Sequence, residues 1–105
     1  MHRYFARTGV HAIVFPTTMA PATPIGEDDT VAIGGRKVPF FTGVGRNIAP
    51  GSTAGLPGMV LQSGLTSNGL PVGIEFDGPS GSDRLLLASG LSLEDALGGI
   101  PGPRV

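Results

Sequence analysis

At 105 residues with a formal net charge of −1, the chain is long enough for one small domain and carries no clustered basic face of the kind nucleic acid requires. It has no cysteine, which excludes disulfides, thiolate metal sites and thiol nucleophiles, and two histidines make a zinc site unexpected. No apolar run approaches the roughly 20 residues of a membrane span, no polybasic segment suits an anionic membrane, and Arg3, Arg7 and His11 break up any leader-like core, so cytoplasm is the expected location. Charged residues make up 14% of the chain, against about 25% in ordinary soluble domains. Eighteen glycines and ten prolines accompany a positive mean hydropathy of +0.22. Apolar content with so little charge implies surface that water does not normally meet. A chain that belongs to a larger protein or packs on a partner accounts for this composition, and so does a glycine-rich autonomous domain.

Residues 2–9 read as the end of a helix stopped by Gly9. Residues 10–15 (VHAIVF) form a short, β-branched apolar run ended by Pro16, the pattern of a buried strand. A proline-rich extended loop over 17–24 leads to the acidic patch Glu27-Asp28-Asp29. Residues 30–33 and 37–40 flank Gly34-Gly35 and predict a tight hairpin, because both turn residues tolerate positive φ. Pro39 marks its second strand as an edge. Residues 41–58 are expected as a glycine-rich loop, with a short helical segment near 52–56. Strands are predicted over 59–65 and 70–77, joined by the Ser67-Asn68-Gly69 turn, with Val72, Ile74 and Phe76 on one face. Residues 83–97 (DRLLLASGLSLEDAL) are the clearest helix, with Ser82 as N-cap, Asp83 in the first turn, and Gly98-Gly99 before Pro101 as the stop. Leu87, Leu91 and Glu94 share one of its faces and Leu86, Leu93 and Leu97 another, so the helix is broadly apolar and expected to be well buried.

The chain carries few candidates for chemistry. Gly51-Ser52-Thr53-Ala54-Gly55 places a serine between glycines, where a tight turn can expose a nucleophile. A serine needs a base within hydrogen-bond reach, and His2, His11 and Lys37 have no motif context, so Ser52 reads as a turn or helix-start residue. Gly43-Val44-Gly45-Arg46-Asn47 looks like the start of a phosphate loop but lacks the remaining dinucleotide spacing and the Lys-Ser/Thr of a P-loop. Glu27, Asp28 and Asp29 lack a calcium-loop pattern and read as solvated. Asp77 and Asp83 read as residues that cap a turn and a helix start. The residues alone describe a small α/β unit with no catalytic centre of its own.

The order of segments nevertheless resembles a known family. His11-Ala12-Ile13-Val14-Phe15-Pro16-Thr17-Thr18 with Pro21-Ala22, then Arg46-Asn47 and Pro50-Gly51-Ser52-Thr53-Ala54-Gly55-Leu56-Pro57-Gly58, then Gly69-Leu70-Pro71-Val72-Gly73-Ile74-Glu75-Phe76, and last Ser82-Asp83-Arg84-Leu85-Leu86, match in order the late part of amidase-signature enzymes, most of all the indoleacetamide and mandelamide hydrolase branch. The resemblance covers the whole chain. It implies an α/β fold, with strands of a mixed β-sheet and a C-terminal helix, and a single incomplete unit over residues 1–105. It also implies hydrolysis of an amide to a carboxylic acid and ammonia with no cofactor or metal, a small aryl amide as the parent enzyme's substrate, and a catalytic Ser-Ser-Lys set upstream of the matched region. The Gly-Gly-Ser-Ser-Gly-Gly stretch that carries the family's nucleophile is absent, Lys37 falls in the hairpin, and no catalytic residue carries over to this chain.

The same resemblance implies that the loop after the Pro-Thr-Thr strand and the loop before Pro50 face the acyl side, which makes Thr18, Met19, Phe41, Thr42, Val44 and Asn47 candidate substrate-binding residues. It also implies that Met1 falls inside a helix of the full enzyme, that Arg104-Val105 is a natural terminus, and that the missing N-terminal amidase portion is the partner. The alternative is a non-catalytic binding or scaffold module that self-associates. One departure stands out: Gln62 replaces a proline of the family, and a glutamine in a buried strand requires either hydrogen-bond partners or exposure.

Overall fold

The computed structural model describes residues 1–102, apart from the His2 side chain; Arg104-Val105 lie outside the described residues. Everything is organised around β5 (Pro71–Asp77), the middle strand of a three-stranded sheet. On one side it pairs antiparallel with β4 (Gly58–Leu65), on the other with β1 (Ile13–Pro16). The β4–β5 hairpin closes through Thr66, whose Oγ1 accepts from the Leu70 N–H at 3.0 Å while its carbonyl accepts from the Gly69 N–H at 2.9 Å. A bulge interrupts β4 between Gln62 and Gly64, and the Ser63 hydroxyl bridges it by donating to the Val72 carbonyl at 3.3 Å. Gln62 is exposed, so water serves its amide.

Strand β1 is shorter than predicted and shifted toward Pro16. Its register runs from Ile13 opposite Asp77 to Pro16 opposite Ile74. Since β5 ends at Asp77 and the chain turns away through Gly78-Pro79, residues 10–12 have no strand to pair with. Proline is tolerated at the last position because a terminal strand residue need not donate to the ladder.

The second sheet is the hairpin of β2 (Thr30–Ile33) and β3 (Arg36–Pro39), turned through Gly34 (φ 57) and Gly35 (φ 76) as predicted. Residues 41–58 hold more helix than the glycine-rich loop with a short helical segment near 52–56 that was expected there. They hold two short helices, α2 (Phe40–Gly45) and α3 (Ile48–Ala54), after an N-terminal helix α1 (His2–Thr8) that Gly9 caps in the left-handed conformation. The glycines here serve close packing. Buried Gly43 lets α2 settle onto the hairpin, where a methyl group would overlap Val31 and stand 3.1 Å from Val38.

The C-terminal helix α4 (Asp83–Leu97) corrects two expectations. Ser82 makes no side-chain cap; its backbone sits at φ −92, ψ 15 rather than in the extended region that aims a cap hydroxyl at the first turn, and its Oγ is buried without a partner. Nor is the helix well buried. Leu86 and Gly90 turn inward onto β4, where Gly90 meets Met59, but Leu87 is 65% and Leu91 73% exposed. With only one layer of sheet beneath it, α4 has a single face to bury.

The same shortage of layers runs through the molecule. Among the described residues the buried apolar side chains are Phe5, Val31, Phe76 and Leu86, and no large side chain is fully buried. The radius of gyration is 15.4 Å, whereas a compact chain of this length has about 13 Å. Accessible surface reaches 7663 Å², against about 5,500 Å² for a compact monomer of this mass. Leu86→Ala is expected to destabilise the chain by about 2–4 kcal/mol through the cavity it leaves, while Leu87→Lys with Leu91→Lys is expected to stay within about 0.5 kcal/mol of the parent. Thermal melts followed by circular dichroism check both, and equal losses would refute the inward and outward assignment.

Candidate functional site

The loop that leaves β1 is held against the sheet by its backbone. The Thr17 N–H donates to the Gly73 carbonyl at 3.1 Å, and the Thr18 hydroxyl donates to the Ala20 carbonyl at 2.7 Å, closing a small turn. Between this loop and β5 lies a hollow of about 320 Å³ lined by Thr18, Met19, Ser63, Val72 and Ile74 among others. Its floor is apolar and its rim carries hydroxyls, the usual make-up of a small-molecule pocket. A second hollow of about 380 Å³ lies along α2 and the start of α3, lined by Phe41, Thr42, Gly45, Arg46 and Ala49. The Phe41 ring is 85% exposed.

Four of the six residues expected at the acyl pocket therefore fall in two hollows. Thr18 and Met19 line the first, Phe41 and Thr42 the second, and half-buried Val44 lines neither. Asn47 ties the two segments together: its Nδ2 donates to the Pro16 carbonyl at 2.8 Å, across 31 residues of chain, just before the Thr18-Met19 turn. That bond fixes the α2–α3 junction to the end of β1.

The remaining candidates stay apart. Ser52 is exposed on α3, and Lys37 is exposed on β3 opposite Ala32. Gly43, Val44 and Gly45 lie inside α2, so no loop leads into a helix N-terminus there to cradle a phosphate. Among the described residues no group of three histidines, aspartates or glutamates is placed to hold a metal ion.

The polar feature the sequence reading passed over lies on the opposite face of β5. Alternation that turns Val72, Ile74 and Phe76 to one side turns Gly73, Glu75 and Asp77 to the other. Among the described residues Asp77 makes no capping hydrogen bond; it is 5% exposed, lodged against Gly51 of α3 so closely that a methyl group there would collide with its carboxylate. Glu75 and Asp77 converge over Gly58, whose missing Cβ would stand 3.2 Å from Glu75 Oε1 and 2.8 Å from Asp77 Oδ1. Glu75 Oε2 and the neighbouring Thr17 Oγ1 are buried with no hydrogen-bond partner. Burial raises the pKa of both carboxyls, and the charge of Asp77 pushes that of Glu75 further up. The spacing of two carboxylates at i and i+2 was the available signal; that α3 would cover one of them was not.

A family profile described as Amidase matches residues 1–87. The chain belongs to the amidase family. Among similar amidases, the indoleacetamide hydrolase of Agrobacterium vitis is 48% identical over 94 residues, which take in 90% of this chain and 20% of that enzyme. The mandelamide hydrolase of Pseudomonas putida is 38% identical over 100 residues, 94% of this chain and 18% of its own length. A crystal structure of an amidase superposes with a TM-score of 0.79 at 31% identity, covering 87% of this chain and 20% of the other. The chain thus has the α/β architecture of the amidase fold and spans about a fifth of the length of the relatives it matches. No helix among the described residues is long and apolar enough to cross a membrane.

The raised carboxyls give a pH-dependent expectation for this amidase segment. A carboxyl whose folded pKa lies above its unfolded value holds its proton more tightly when folded, so ionisation works against the fold and stability falls as pH rises through the folded value. Glu75→Gln removes that ionisation. It is expected to melt above the parent at pH 7 by roughly a few degrees, and to lose the advantage below pH 4.5, the ordinary value for glutamate. Calorimetric melts at the two pH values check this, and a variant less stable than the parent at pH 7 would refute it.

Proposed function

We propose that this chain is the C-terminal portion of an amide hydrolase and that it supplies sheet strands, the closing helix and one wall of the acyl pocket to an enzyme whose Ser-Ser-Lys catalytic set lies elsewhere. The observation that carries this reading is the match itself: nine-tenths of the chain aligns with one-fifth of an indoleacetamide hydrolase at 48% identity. In the whole enzyme a serine alkoxide attacks the amide carbonyl, backbone N–H groups stabilise the oxyanion, and water releases the acid after ammonia has left. The substrate is a small aryl amide, the class named by both hydrolases, and no metal or cofactor takes part. Thr18 and Met19 meet the acyl group from the loop after β1. Phe41, Thr42 and Val44 approach from α2, and Asn47 sets the spacing between the two segments. Cytoplasm suits such an enzyme.

The exposed leucines of α4 favour one second reading, an autonomous module that self-associates through Leu87 and Leu91. Light scattering separates the two. A defined oligomer with a cooperative melt supports the module, and a monomer that binds apolar dye supports the amidase segment.

Alone, the chain is expected to release no ammonia from a panel of aryl acetamides, because pocket walls do not replace a nucleophile and its base. Assay of the purified chain beside Ser52→Ala checks this. Turnover that disappears in the variant would show that the chain carries its own nucleophile and would overturn the proposal.

A further inference from the structure

We propose that Glu75 and Asp77 form an acidic bay that receives a guanidinium side chain from the part of an amidase that this chain does not contain, so that the face of the sheet bearing them is the docking surface for that part. The inference rests on the reading of the chain as an amidase segment and adds to it the surface and the chemistry of the contact.

The geometry argues for a cation. The two carboxylates converge over Gly58, and Gly58 is exposed, so the approach to the bay is open on that side. Glu75 Oε2 is buried without a donor, as is the Thr17 hydroxyl beside Gly73 on the same face. Buried oxygens of this kind are rarely left unpaired in a finished protein, and a carboxylate left so is costly. The raised carboxyl of Glu75 traces to burial and to Asp77, with no cation among its causes. An arginine suits the place better than a lysine: its planar fork offers five N–H donors, enough to reach two carboxylates at once.

The surroundings argue for a protein surface rather than a free ion. Val60, opposite Glu75 in the β4–β5 register, is 52% exposed, and Ile13 and Phe15 of β1, opposite Asp77 and Glu75, are half-buried on the same face. Exposed apolar side chains beside buried polar groups that lack partners mark a surface for another protein segment rather than a seat for a free ion. The occupant follows from length. Relatives are about five times as long as the region matched here, and a sheet face left open in one-fifth of such an enzyme is where the rest packs.

The experiment is titration calorimetry of the 105-residue chain with a separately produced polypeptide, the portion of the Agrobacterium vitis indoleacetamide hydrolase outside the matched region. The parent chain is expected to bind, and Glu75→Gln with Asp77→Asn to bind at least about tenfold more weakly with a shallower salt dependence. The single variant Glu75→Gln, expected to be no less stable than the parent when free, keeps the test valid if the double variant does not fold. A merely structural role predicts the opposite pattern, a less stable free chain with unchanged affinity once folded, and that result overturns the proposal. So does equal affinity of parent and variants, which leaves the amidase-segment reading standing. Absence of binding by the parent chain overturns both. Dimers of the parent that the double variant dissolves would assign the bay to a second copy and also overturn it.

Discussion

Strand β5 is the constraint on which the rest depends. Among the described residues it alone pairs on both sides, and through it the early and late parts of the chain are brought into one sheet. Its pleat divides the residues of the late motif into two sets with different duties. Val72, Ile74 and Phe76 face the side on which α4 lies, while Gly73, Glu75 and Asp77 face the side on which α3 lies. The Pro-Val-Gly start of the strand is equally constrained: Gly73 sits where Val60 and the Thr17 hydroxyl close in, and a side chain there would displace the loop that carries Thr18 and Met19.

The proposed place of the chain within a larger amidase accounts for what the composition first suggested. Low charge and a surplus of apolar residues turn out to be spread over the outer face of α4, the Val60 rim and the Phe41 ring, places where the chain has surface but no second layer. A small autonomous domain must bury most of its apolar surface against itself. A segment of a larger protein buries it against the remainder, and its own core then amounts to patches. Phe5, Val31, Phe76 and Leu86 lie on four different elements and form such patches.

Local patterns in the sequence carried the hairpins and the last helix. Gly34-Gly35 and the Thr66–Leu70 turn need positive φ at particular positions, and only a few residue types supply it, so both could be read directly. The α2–α3 region could not be read this way. Its glycines looked like loop formers, yet Gly43 and Gly51 are chosen for contact with Val31 and Asp77, partners distant in sequence. The burial of α4 was misjudged for a related reason: periodicity reports which faces are apolar, and only the number of neighbouring layers decides which of them is covered. For the candidate site, Thr18 and Met19 were named through the family resemblance, and the structure places both beside β5 in the first hollow. The Asn47 bond to Pro16, which joins their loop to α2 and α3, spans 31 residues and leaves no periodic trace.

The distance along the chain between the partners of β5 has a kinetic consequence. The β4–β5 ladder closes across a short turn, whereas Ile13 and Asp77 pair across more than half of the chain. Closing a loop of about sixty residues costs more entropy than closing one of five, by about 2 kcal/mol, and contacts of large sequence separation form late. The hairpin and α4 therefore assemble first, and β1 arrives last, bringing the Thr18-Met19 turn with it. The loop that borders the first hollow is then the final element to become ordered, after the sheet that supports it already exists.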